Sequence, residues 1–223
     1  TLHETSTEES RNSKAAGSFA TIWKHHRKAF LVVVGFTAGG SLTFYTFTTY
    51  MQKYLVNTAG MNKETASEVM TVALFAFMLM QPLFGYISDK VGRKPMMIAF
   101  GGVSVLTTIP LLTVLGSVQS PTMAFVYIAI ASAIVSMYTS IGGIVKSELF
   151  PAEVRALGVG FSYAIANAIF GGTAEYVALW FKKVGFESGF FWYVTIMMVI
   201  VFIVGLVMPD PRKHGYLQGH GTH

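Results

Sequence analysis

Gly85-Tyr-Ile-Ser-Asp89-Lys90-Val-Gly92-Arg93-Lys94 is a short charged turn between two long apolar runs. Asp89, Lys90, Arg93 and Lys94 crowd together in a chain in which only 12% of residues are charged. Neither flanking run tolerates that density in lipid, where a charge at mid-depth costs at least about 2.5 kcal/mol. The turn therefore belongs at a membrane surface. Its side helps to fix the side of every other loop.

Composition agrees. The chain has 223 residues, 52% of them hydrophobic, and a mean hydropathy of +0.53. That is too apolar for an ordinary soluble domain. Segment length decides the matter, because a spanning helix needs about 20 mostly apolar residues. Six runs qualify: 30–50, 66–87, 95–115, 122–145, 156–181 and 189–208. Short connections at 51–65, 88–94, 116–121, 146–155 and 182–188 make consecutive helices antiparallel neighbours. The expected fold is all-α and transmembrane, a six-helix bundle over 29–208. A polar linker (1–28) precedes it and a tail (209–223) follows; nothing reads as a separate soluble domain.

The chain opens on Thr1 without a signal-peptide pattern. The stretch 1–28 carries Glu8, Glu9, Arg11, Lys14, Lys24, Arg27 and Lys28. It reads as an internal linker with an amphipathic end, the alternative being a processed N-terminus. With no cysteine, disulfides and thiolate metal sites are excluded. No metal or cofactor is expected.

Basic residues in short loops set orientation. Six crossings put both ends on one side. That side holds Arg11, Lys14, Lys24, Arg27, Lys28, Lys90, Arg93, Lys94, Lys146, Arg155, Arg212 and Lys213. The other holds Lys53, Lys63, Lys182 and Lys183. Both ends are therefore expected in the cytoplasm. The same bias explains the net charge of +5 without a nucleic-acid partner.

Small polar side chains recur at helical spacing in three of the runs. The first carries Thr37, Ser41, Tyr45 and Thr48. The fourth carries Ser132, Ser136, Thr139 and Gly143, flanked by Tyr138 and Ser140. The fifth carries Gly160, Tyr163, Asn167, Gly171 and Ala174. The third and sixth are plainer. The pattern points to a polar cavity lined by striped helices and buttressed by plain ones. Helix packing through small residues is the competing explanation, and it is the preferred one for Gly35-xxx-Gly39.

Asn167 stands about 16 Å into its run, near the bilayer midplane. Its amide has no partner on its own backbone, so it contacts substrate, a gate or another helix. Tyr138 lies about 12 Å from the inner end. Tyr45 lies in the outer part of its helix, where an interfacial aromatic is the rival reading. The cavity candidates are Ser41, Tyr45, Tyr138, Ser140 and Asn167. No charged residue is expected near the midplane: Glu68, Glu148 and Glu175 all stand near run ends. All six His (His3, His25, His26, His214, His220 and His223) lie outside the runs. An intramembrane Ser–His hydrolase is thereby excluded, and no enzymatic activity is expected.

The opening turn resembles the Gly-x-x-x-Asp-(Arg/Lys)-x-Gly-Arg-(Arg/Lys) pattern of the major facilitator superfamily, through Gly85, Asp89, Lys90, Gly92, Arg93 and Lys94. Pro95 stands where the fullest form has a third basic residue, and it suits a helix start. Gly85 is expected to let helices approach, Gly92 to permit the turn, and Asp89 to pair with Arg93 or face a helix N-terminus. A second turn, Glu148-Leu-Phe150-Pro151-Ala-Glu153-Val-Arg155, resembles the superfamily's Glu-x-x-Pro-x-x-x-Arg signature. Arg155 is expected to reach Glu148 or Asp89, and together these residues form a candidate cytoplasmic gate.

Longer stretches resemble the metabolite:proton symporters of that superfamily. They are 36–60, Tyr163-Ala-Ile-Ala-Asn167-Ala-Ile-Phe-Gly-Gly172, Ala174-Glu-Tyr-Val-Ala178 and Phe190-Phe-Trp-Tyr-Val-Thr195. The resemblance implies a carrier that brings the dicarboxylate 2-oxoglutarate into the cell with protons, the six helices here being helices seven to twelve of twelve. In that fold helices seven, eight, ten and eleven face the cavity. It further implies a bacterial inner-membrane location, a six-helix N-terminal half as partner, and carboxylate-binding and proton-coupling groups in that other half. Carriers of citrate or of proline and betaine share much of the pattern and are the alternative. A half-size unit that homodimerises, or a fragment inactive in transport, remains open on sequence alone.

Overall fold

The computed structural model describes residues 19–210, all helix and turn with no strand among them. Arg11, Lys14, Arg212, Lys213, His3, His214, His220 and His223, most of the expected linker and nearly all of the tail lie outside the described residues. Six helices are long and apolar enough to cross a membrane: Arg27–Asn57, Lys63–Val91, Arg93–Ser117, Pro121–Glu148, Ala152–Lys183 and Ser188–Val207. They are called spans 1 to 6. A short helix, Phe19–His25, precedes them and buries Ile22.

Most spans run past the sequence-based bounds. Span 1 gains about two turns beyond position 50, because Met51, Tyr54 and Leu55 are buried in the core while Lys53 faces outward. That amphipathic end resembles a loop in a hydropathy reading. The stops and starts are chemical. Asn62 accepts from the Glu64 amide at 2.9 Å and caps span 2. Ser120 caps span 4, with Pro121 at its first position. Gly92 has φ +107°, which favours glycine, and it serves both as the end of span 2 and the start of span 3.

Span 1 is the hub. Its apolar stretch is 67% buried, and it packs on spans 5 and 6 and touches span 4. Span 6 also packs on span 3, and span 2 on span 4. Gly35 and Gly39 face span 6: a Cβ on Gly39 would lie 2.8 Å from the Met197 carbonyl oxygen, so the Gly35-xxx-Gly39 pair is a packing device. Gly101 plays the same part in span 3, against the Phe202 backbone. Gly85 does not. A Cβ there would meet nothing within 4 Å, so the close approach expected of it is absent within this bundle. Its span is the most exposed, with only 11% of the apolar stretch buried and Val72, Phe75, Met78, Leu79, Leu83 and Tyr86 facing outward.

Two spans carry a π-helical turn, Thr46–Tyr50 in span 1 and Asn167–Gly171 in span 5. Such turns insert one extra residue into the helical ladder and concentrate at functional positions. Tyr45 immediately precedes one and Asn167 opens the other, and Tyr45 packs on Gly171.

Candidate substrate cavity

Spans 1, 4 and 5 enclose a cavity of about 200 Å³. Its walls are Ser41, Phe44 and Tyr45 from span 1, Tyr138, Thr139, Gly142, Gly143 and Lys146 from span 4, and Tyr163 and Asn167 from span 5. Complete small-ligand sites run to roughly 300–1,000 Å³, so this is the size of one wall of a site. Span 2 is absent from the lining, although the resemblance placed it there. It acts from behind: Thr139 donates to Gln81 Oε1 at 2.8 Å, and Gln81 Nε2 donates to Ser136 at 3.0 Å.

Four of the five candidates, Ser41, Tyr45, Tyr138 and Asn167, line this cavity. Ser140 does not, and its hydroxyl donates to the Ser136 carbonyl at 2.6 Å instead. Ser140 flanked the span 4 stripe rather than standing on it, and its hydroxyl serves the preceding turn. Span 4 is interrupted just beyond it. Its regular helix ends at Thr139, Ile141 is non-helical (φ −120°, ψ −9°), and a fresh turn runs Gly142–Glu148.

Beyond this break stands a group absent from the expected site. Lys146, assigned by its charge to the cytoplasmic loop, is only 5% exposed. This corrects the placement of Lys146 in the loop 146–155: it belongs to the end of span 4 and is buried there. The physical cause is direction. Side chains lean toward the N-terminus of their helix, and for a lysine at the C-terminal end of span 4 that means back into the span. Its ammonium passes over Gly142, whose Cβ position lies 3.9 Å away, and donates to the Tyr138 hydroxyl at 3.3 Å. Aromatic faces surround it, with centroids at 4.4 Å (Tyr163), 5.3 Å (Tyr138) and 5.7 Å (Phe36). Among the described residues it forms no ion pair. A sequence signal existed: Tyr138, Gly142 and Lys146 follow one another at four-residue spacing.

Tyr138 is held rigidly. Its ring stacks on Phe100 (5.4 Å, 23°), meets Phe36 edge-on (4.8 Å, 63°) and fills the room left by Gly40. Only its hydroxyl end serves the cavity. Tyr45 borders a second opening of about 400 Å³, shared with Thr49, Gly171, Gly172, Glu175, Tyr176 and Leu179. It thus stands between the cavity and the end of the bundle where Lys53 pairs with Glu175. Asn167 makes no interhelical hydrogen bond among the described residues, and its carboxamide is left to the cavity.

At the opposite end, Arg93 pairs with Glu148 and so joins the two charged turns. Glu148, which the sequence reading offered to Arg155, thus has Arg93 as a partner. Arg155 donates its Nε to the Phe150 carbonyl at 3.2 Å, while Lys94 caps the Leu206 carbonyl of span 6 at 3.0 Å. Lys90 lies over the Tyr86 ring at 4.6 Å. Asp89 is exposed.

The Major Facilitator Superfamily matches residues 29–221, and the chain belongs to that family. Among curated relatives, it is 59% identical over 212 residues to the Alpha-ketoglutarate permease of Escherichia coli (strain K12), covering 95% of this chain and 49% of that protein. It is 25% identical over 206 residues to the Ectoine/proline transporter ProP of Corynebacterium glutamicum (91% of this chain, 40% of that one). It is 29% identical over 129 residues to the Citrate-proton symporter of Klebsiella pneumoniae (58% and 29%). The chain spans about half the length, or less, of these relatives. No solved structure matches it.

Proposed function

We propose that this chain is the second six-helix half of a twelve-helix carrier that brings 2-oxoglutarate into the bacterial cell with protons. The observation that carries the reading is the 59% identity over nearly the whole chain to a protein named as an alpha-ketoglutarate permease. Relatives named for ectoine, proline or citrate stand at 25–29%. The half-cavity on spans 1, 4 and 5 and the apolar outer face of span 2 support it: each is a surface that a second bundle would complete.

The mechanism follows from the parts. The substrate sits between the bundles near the midplane, and rocking of one bundle against the other exposes it to each side in turn. Asn167, Ser41 and Tyr45 offer neutral hydrogen-bonding groups on this half. Tyr45, beside both π turns, is placed to close the outer side. The Arg93–Glu148 pair ties spans 3 and 4 together at the inner side, and Asp89 meets the partner bundle. The carrier lies in the inner membrane with both ends of this half in the cytoplasm, as the basic residues of the inner loops favour. The proton-coupling group is assigned to the partner half.

The test is uptake of labelled 2-oxoglutarate by the full-length carrier in proteoliposomes. An inward proton gradient is expected to drive accumulation, with citrate and betaine competing poorly. Uptake of betaine or citrate in place of 2-oxoglutarate would overturn the substrate assignment.

A further inference from the structure

We infer that Lys146 is the cation on this half that holds one carboxylate of the transported diacid; the inference rests on the carrier reading above. A lysine near a helix end ordinarily extends its ammonium toward water. This one is buried and turned back into the span, where its desolvation is costly. The structure does not relieve that cost with a carboxylate: among the described residues Lys146 has no acidic partner. What surrounds it is the Tyr138 hydroxyl at 3.3 Å and three aromatic faces within 5.7 Å. Aromatic faces stabilise a cation without neutralising it. An ammonium has three donors, and Tyr138 takes one of them. The other two remain for an anion entering the cavity that Lys146 lines together with Ser41 and Asn167.

The same arrangement sets substrate class. A quaternary or secondary ammonium of a zwitterionic solute needs aromatic faces for its own positive charge. Here those faces are already occupied by a fixed cation, which repels it. An anion meets attraction at the same place. The fixed charge at this position therefore selects diacids over zwitterions.

The experiment compares 2-oxoglutarate with its 5-amide and 1-amide in proteoliposomes of the full-length carrier, unaltered and as Lys146→Met and Lys146→Arg. The unaltered carrier is expected to prefer the diacid strongly over at least one monoamide. Lys146→Met is expected to raise the KM for 2-oxoglutarate by about 100-fold, the usual order for removing one partner of a desolvated charge pair, and to reduce that preference to within about threefold. Lys146→Arg keeps the preference. A wild-type KM in Lys146→Met, or an equal loss for diacid and monoamides, overturns the inference, since a merely structural lysine weakens all three alike. If Lys146→Met does not reach the membrane, reductive methylation of Lys146 in the unaltered carrier is followed by mass spectrometry. Saturating 2-oxoglutarate is expected to slow it at least tenfold, and no slowing overturns the inference. An unaltered carrier that takes up no 2-oxoglutarate overturns the carrier reading and this inference together; uptake indifferent to Lys146 overturns this inference alone.

Discussion

Arg93 and Glu148 form an ion pair across the base of the bundle, with the carboxylate side chain only 3% exposed and the guanidinium side chain 19%. The pair joins the turn between spans 2 and 3 to the end of span 4. It is not fully satisfied, for Arg93 Nε and Glu148 Oε2 are buried without a hydrogen-bond partner. A buried pair of this kind contributes little net stability, but removing one member strands the other. Arg93→Met in the full-length carrier is expected to lower stability by roughly 3–5 kcal/mol. Arg93→Met combined with Glu148→Leu is expected to recover most of it. Thermal unfolding of the purified proteins reads both, and equal losses in the single and double variants would contradict the assignment.

Asp89 belongs to the same turn but faces outward. Asp89→Asn is therefore expected to leave folding intact, shift the balance between inward- and outward-open states and cut transport. Uptake is measured alongside the accessibility of single cysteines introduced on either side. Unchanged uptake with unchanged accessibility counts against a gating role.

Gly171 makes room for Tyr45: a Cβ there would lie 2.8 Å from the ring and 2.9 Å from Asn167 Oδ1. Gly171→Val is expected to reduce the maximal uptake rate at least tenfold at normal expression. Adding Tyr45→Ala relieves the collision and is expected to restore part of the rate. No rescue in the double variant places the fault in the π turn itself rather than in Tyr45.

Two glycines in similar sequence settings are expected to behave oppositely. Gly39→Ala forces a methyl against the Met197 carbonyl of span 6, an overpacking that costs typically 1–3 kcal/mol. Gly85→Ala meets nothing within the bundle and is expected to leave its stability within about 0.5 kcal/mol. Uptake by Gly85→Ala nevertheless falls if this face closes on the partner half. Thermal unfolding and uptake on the same preparations separate the two effects.

The six spans were legible because crossing lipid demands long apolar runs, and no other constraint in this chain competes with that one. The two charged turns were legible because their density is intolerable elsewhere. Ser41, Tyr45 and Asn167 stood on stripes of helical period, and Tyr138 stood beside one. Ser140 stood beside the span 4 stripe and turns its hydroxyl onto the preceding turn, while Lys146, at four-residue spacing from Tyr138 and Gly142, joins the lining. A charged residue near a run end reads as loop in any hydropathy scheme, so the direction of the Lys146 side chain was invisible there. The π turns leave no mark on the apolar pattern at all. Gly85 misled for a different reason: its match to a family turn says where it sits but not which bundle it faces.

The central claim is that this chain supplies half of the binding wall of a proton-driven 2-oxoglutarate carrier. Counterflow tests it most directly. Proteoliposomes of the full-length carrier are loaded with unlabelled 2-oxoglutarate and diluted into a trace of labelled 2-oxoglutarate without any imposed gradient, so that only binding and alternation are read. Transient accumulation of label several-fold above equilibrium, abolished in Lys146→Met, is the predicted result. Label that never exceeds equilibrium, while betaine-loaded vesicles accumulate labelled betaine, would contradict the account.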